Sequence, residues 1–171
     1  REPFRPRSGA WPAPPPPALR RWRIPVVSGG ASGLDLEEVA RHHGVPPEQI
    51  VAWHTGGDYR VAMIGFTPGW SYLSGLDPRL ATPRRASPRT DTPAGAISIG
   101  GEQAGVQCLA APSGWHLLGR TPVRTYHPHR APVFLLDPGD AVTFYAIDAQ
   151  EFAALDEAAA KGEPVAELVL S

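Results

Sequence analysis

DTPAGAISIGGEQAGVQCLAAPSGWHLLGRTPVRTY, residues 91–126, decides the fold class. Its apolar runs are short: Ala96 to Ile99, Gly105 to Leu109, Trp115 to Gly119 and Val123 to Tyr126, each set between Gly, Pro or Ser. Runs of this length between turn formers suit strands and are too short for helices. The pattern continues downstream, where Val133 to Leu136 is another strand candidate. Asp137-Pro138-Gly139-Asp140 is then a turn feeding Ala141 to Ile147, the clearest strand of all. Upstream, Arg60 to Phe66 alternates as a strand, residues 67–95 are dominated by turns, and Arg23 to Val27 reads as a first strand placed at a sheet edge by Pro25.

Helical signals lie only near the ends. Leu34 to His43 is an amphipathic segment with Asp35 as its cap and Gly44 as its stop. A second helix starts at Pro46 or Pro47 and runs to about Trp53, and a third spans Glu151 to Lys161, closed by Gly162 before a last strand from Val165 to Leu170. Many short strands with helices at the periphery predict a β-barrel or sandwich.

Composition bounds the rest. The 171 residues suit one domain, and the 21 prolines and 18 glycines exclude a mostly helical chain. Residues 1–22, with Pro14 to Pro17 unbroken, read as an extended arm or linker, leaving 23–171 as the domain. A net charge of −1 gives no electrostatic reason to bind nucleic acid or an anionic membrane. No apolar run reaches membrane-spanning length, the N-terminus has no signal-peptide core, and a single cysteine excludes an internal disulfide. The expected compartment is a reducing cytoplasm. Fifteen of the 16 basic residues are arginines, whose rigid fork suits carboxylates and phosphates.

The standard catalytic signatures are absent. There is no Gly-Lys-Ser/Thr phosphate loop, no G-x-G-x-x-G and no G-x-S-x-G elbow. No two histidines share a metal-binding helical spacing, so no metal site is expected. Cys108 is either a small buried hydrophobe or a nucleophile paired with His116 across a hairpin.

The run from His54-Thr55-Gly56-Gly57-Asp58-Tyr59 through GFTPGWSYLSGLDPRLATPRRASPRTDTPAGAISIGGEQAGV to APSGWHLLGRTP resembles the C-terminal domain of the 5-oxoprolinase B subunit. The same family includes Kip-type kinase inhibitors and allophanate hydrolase subunit 1, and its module recurs in the carboxyltransferase region of urea carboxylases. The resemblance covers roughly residues 23–170. It implies a mainly β fold, a cyclophilin-like β-barrel with flanking short helices. It also implies one component of an ATP-dependent hydrolase that opens the cyclic amide 5-oxoproline to glutamate, with the related C subunit and the A subunit as partners and ATP bound among them. The inhibitor branch implies an alternative, a non-catalytic module that blocks a sensor histidine kinase. The smaller α/β domain that family members carry ahead of the barrel has no counterpart in these residues. Three departures cluster: Ala104 stands where the family has threonine, Val106-Gln107-Cys108 where it has Ile-Tyr-Pro, and Ser113 where it has glycine. A changed substrate is expected if those residues line the pocket.

Within this stretch, Arg84 and Arg89 lie in proline-rich turns that could aim a guanidinium at a carboxylate or phosphate. His54 is the candidate general acid–base group, because its ordinary pKa lies near neutrality. These three are the expected catalytic residues. Tyr59 and Gln103, as partners of an amide carbonyl, Phe66, Tyr72 and Trp115, as aromatic walls with Trp70 beside them, and Arg120 are the expected substrate-binding residues. For each of them a structural role is the competing reading.

Overall fold

The computed structural model describes residues 20–169, so the proline-rich stretch through residue 19 lies outside the described residues. Ten strands follow one another: β1 Arg21–Ser28, β2 Tyr59–Ile64, β3 Ser71–Ser74, β4 Arg89–Thr92, β5 Ala96–Gly100, β6 Gln103–Val106, β7 Ala111–Ser113, β8 His116–Arg120, β9 Ala141–Ala146 and β10 Glu167–Val169. Three helices accompany them: α1 Leu36–His43, α2 Pro47–Thr55 and α3 Ala149–Ala160. Seven strands in the order β1-β8-β5-β6-β3-β2-β9 form a barrel, closed by parallel pairing of β1 with β9. The mainly β barrel with short flanking helices implied by the resemblance is the fold this chain adopts.

The first strand was expected at an edge and instead is the seam. One side of β1 pairs with β9 from Arg21 to Val26, while the other side is divided between β10 at residues 21–23 and β8 at residues 27 and 28. The carbonyls of Arg20 and Val26 face β9, so by alternation the nitrogen of Pro25 faces the gap between β10 and β8. A residue without an N–H costs nothing at that position, which reconciles proline with an interior strand. The strand already begins at Arg21, and Trp22 is buried with Ile24 and Val26.

These three residues join Val61, Leu73, Ile97, Ile99, Val106, Val142 and Phe144 in the barrel core. Helix α1 adds Leu36, Val39 and Ala40 and packs on β8; α2 adds Ile50 and packs on β9. Asp35 makes no capping bond to α1. Its oxygens are engaged elsewhere, as described below.

Three other expectations shift. The predicted strands at Val123 to Tyr126 and Val133 to Leu136 reduce to one bridge between Tyr126 and Phe134, since Pro128 and Pro132 remove the donors a ladder needs. The strand expected at 105–109 starts at Gln103 and ends at Val106. There the Gln107 side-chain amide donates to the carbonyls of Thr92, Leu109 and Ala111, and the chain turns out of the ladder. The turn-dominated stretch 67–95 also contains β3 and β4, both only four residues long.

Gly95 pins this turn to the barrel. Its N–H donates to Gln107 O at 2.6 Å and its carbonyl accepts from Thr121 N at 2.8 Å. Its φ is +79°, and a Cβ there would lie 2.3 Å from Thr121 O. Gly95→Ala therefore combines a left-handed backbone penalty with a backbone clash, and urea unfolding should show a loss of at least about 2 kcal/mol.

Candidate functional site

The site is organised by Asp35, a carboxylate buried between α1 and β8. Its backbone N–H donates to Leu117 O at 3.0 Å, and Leu117 N donates back to Asp35 Oδ2 at 2.7 Å. Arg89 grips both carboxylate oxygens with its two terminal nitrogens, and Arg85 Nη1 donates to Oδ1 at 2.8 Å. Burial pushes the Asp35 carboxyl up, but the Arg89 bond, the Leu117 N–H and the charges of both arginines outweigh it and hold the pKa below its ordinary value. These bonds fix the proline-bounded loop from Pro83 to Pro88, further tied by Arg85 N to Gly114 O at 2.8 Å and by His116 Nε2 donating to Pro83 O at 2.9 Å.

Arg84 is thereby held outward, with its guanidinium carbon 5.7 Å from the Trp115 ring centroid. Trp115 lies against β5 and β6, where Gly100 and Gly105 leave room; a Cβ on Gly100 would sit 2.8 Å from the ring. Edge-to-face contacts then spread outward. Trp70 meets Trp115 at 5.9 Å, Tyr72 meets Trp115 at 5.8 Å, and Phe66 meets Trp70 at 5.6 Å. Together with Pro112, Ser113 and Gly114 they line a cleft of about 230 Å³.

Two features mark this cleft. Phe66 is 67% exposed and has φ of +70°, a strained conformation for a bulky residue. The loop holding it is closed by Gly65 N to Trp70 O at 3.1 Å and by Thr125 Oγ1 donating to Gly69 O at 2.6 Å. In addition, the indole N–H of buried Trp70 has no hydrogen-bond partner among the described residues.

Of the expected site residues, Phe66, Tyr72, Arg84 and Trp115 come together here. Arg89 does not face the cleft, because its guanidinium is committed to Asp35. Arg120 donates twice to Ala94 O and lies over the Phe152 ring, a structural role. Gln103 is half-buried at the start of β6, opposite Gly100, and lines no part of the cleft. Tyr59 is wholly buried and donates its hydroxyl to His54 O at 2.8 Å; burial raises its pKa.

The acid–base reading of His54 is corrected. The ring is 2% exposed and stacked on Phe144 at 4.7 Å, and burial pushes its pKa down to about 4. It is a neutral core residue away from the cleft. The departures at Ala104, Gln107 and Cys108 are equally internal, since all three are buried and Cys108 Sγ exchanges bonds with the Tyr126 backbone. Only Ser113 touches the cleft, so the case for a changed substrate rests on that residue. Asp35, Arg85, His116 and the unsatisfied Trp70 indole are the features that sequence reasoning did not place in the site. No local signal links Asp35 to arginines 50 and 54 residues away.

A barrel of this topology, with a cleft lined from β3, β7 and the loops beside them, is the fold of a carboxyltransferase-type domain. The chain belongs to the family described as carboxyltransferase domain, subdomain C and D, which matches residues 10–136. It is 44% identical over 134 residues to the 5-oxoprolinase B subunit of Bacillus subtilis, covering 78% of this chain and 56% of that protein. Against the protein of the same name from Escherichia coli O157:H7 it is 48% identical over 128 residues, covering 75% and 59%. The chain thus spans less than two thirds of these relatives. Among solved structures, a conserved uncharacterized protein from Pyrococcus horikoshii aligns with a TM-score of 0.75 at 42% identity, over 77% of this chain and 61% of that one. The Kluyveromyces lactis urea carboxylase shares the fold, with a TM-score of 0.72 at 20% identity over 90% of this chain and 16% of that one. No described helix is long and apolar enough to cross a membrane.

The buried His54 has a consequence for pH. An unfolded histidine takes up its proton near 6.5, whereas this one resists until about 4. The unfolded state therefore binds more protons between those values, and stability, complete above 6.5, falls as the pH drops toward 4. Urea unfolding across this window should lose up to about 3 kcal/mol in the native chain. His54→Phe, which keeps an aromatic ring against Phe144, should flatten most of that slope.

Proposed function

We propose that this chain is the barrel portion of a B-type component of a 5-oxoprolinase complex, which hydrolyses the cyclic amide 5-oxoproline to glutamate with ATP as the energy source. The observation that carries the reading is the cleft itself: aromatic walls and Arg84 line one small space, and Trp70, one of those walls, carries an indole N–H without a partner among the described residues. A lactam acid is nearly flat, with one carboxylate and one amide carbonyl. The rings would take its faces, Arg84 its carboxylate, and the Trp70 N–H would donate to its carbonyl oxygen and polarise it. The names of the relatives support the same reading.

With His54 buried against Phe144, the cleft lining offers aromatic rings, one guanidinium and the hydroxyls of Tyr72 and Ser113, and it includes no imidazole, carboxylate or amine to serve as a general base. In this reading the chain binds and orients the lactam. Partner subunits of the C and A types supply the groups that activate water, and ATP is bound among them. Its compartment is the cytoplasm.

A second reading, the regulatory module that inhibits a sensor histidine kinase, is favoured by one feature: the largely exposed Phe66 held in a strained conformation beside the cleft. The two readings separate in one experiment. The chain, in its complete protein and with the neighbouring subunits, is assayed for ATP-dependent glutamate formation. The hydrolase reading predicts turnover, and it predicts that Arg84→Ala lowers kcat/KM by about 10- to 100-fold, the loss of one charge-assisted contact. Absence of turnover with all the partners present overturns it. Inhibition of kinase autophosphorylation under those conditions would establish the second reading.

A further inference from the structure

A second cavity of about 390 Å³ shares Arg84 with the aromatic cleft and opens between α1 and the Thr82–Ala86 loop. We propose that it is an oxyanion site, taking the carboxylate or phosphate of a small molecule that also presents a hydrogen-bond donor to His116. Its chemistry differs from that of the cleft. Arg41, His42, Arg84 and Arg85 stand on its wall against a single acid, Glu38. Among the described residues the ion pairs engage Arg85 but neither Arg41 nor Arg84, so two arginines of the cavity wall have no carboxylate partner.

His116 is the second observation. It lines the cavity yet is only 5% exposed. Its Nε2 lies 2.9 Å from the Pro83 carbonyl, which can only accept, so Nε2 carries the proton. In the neutral ring Nδ1 is then a lone pair, and this buried atom has no partner among the described residues. Arg85 Nε, on the same wall, is a buried donor likewise without one. Buried polar atoms are nearly always satisfied, and a ligand presenting both an oxyanion and an O–H or N–H would meet these groups together.

A cation is the competing occupant, because ligand atoms of Asp35, Glu38 and His116 lie within 4.8 Å of one another. The Asp35 oxygens, however, already accept from Arg85, Arg89 and Leu117 N. A divalent ion would have to displace two guanidinium groups from a carboxylate they hold, and their charges repel it. The arrangement favours an anion at the open side of the arginines.

The test reads binding by the full 171-residue chain, so it is independent of any reaction the complex performs. Ring-nitrogen NMR of the histidines is followed while inorganic phosphate, and separately acetate and 5-oxoproline, are titrated at constant ionic strength. The proposal expects a saturable change at His116 Nδ1. Arg41→Ala, a substitution at an exposed position read at His116, and His116→Gln, which retains a donor for Pro83 and is read at His42 on the same wall, should each weaken binding about tenfold. Saturation by phosphate alone identifies a phosphate carrier, and saturation by the carboxylates alone identifies a carboxylic acid; either supports the site. No saturable change with any of the three anions overturns the proposal, as does binding unaffected by Arg41→Ala. So does zinc binding that perturbs His116 while the anions do not.

Discussion

One buried carboxylate held by two guanidinium groups organises this face of the molecule. Asp35 joins three segments distant in sequence: the start of α1, the β8 backbone at Leu117, and the loop that carries Arg85 and leads into β4 at Arg89. Removing either charge from such a cluster leaves the other buried and unpaired, a loss of about 3–5 kcal/mol. The cluster is therefore both a strut and a constraint on register. Because Arg85 and Arg89 are tied down, Arg84 beside them has one way to go, outward over Trp115. The same strut sets His116 against Pro83 and shapes the second cavity.

The fold class was legible because it depends on local features. Short apolar runs between Gly and Pro are strand-length whatever they pack against, and β5, β8 and β9 fall close to where pattern placed them. What pattern could not supply was pairing. Pro25 marks an edge only if both sides of its strand are counted, and the gap between β10 and β8 arises from the way the barrel closes. The prolines at 128 and 132 had the opposite effect, reducing two apolar segments to a single bridge.

The site was legible where its chemistry lies in side-chain type and obscure where it lies in burial. Aromatic residues near an arginine in turn-rich sequence do converge, and the cleft keeps Phe66, Tyr72, Arg84 and Trp115. His54 shows the limit: a histidine after a helix looks the same in sequence whether it faces solvent or stacks on Phe144. Arg84 and Arg89 are alike in sequence context but opposite in role, because only one has a buried carboxylate within reach. The departures at Ala104, Gln107 and Cys108 suggested a new substrate by type alone, and the packing makes them a matter of how β6 ends.

The central claim is that Asp35 holds the arginine loop in place and, through it, the cleft. Native-state hydrogen exchange on Asp35→Asn measures this most directly. The account predicts that the amides of Leu117, which donates to the carboxylate, and Arg85, which donates to Gly114, lose protection by a factor of about 100 or more relative to β5 and β6 amides. Protection at those two amides equal to that of the native chain would show that the loop is held by something else, and would contradict the account.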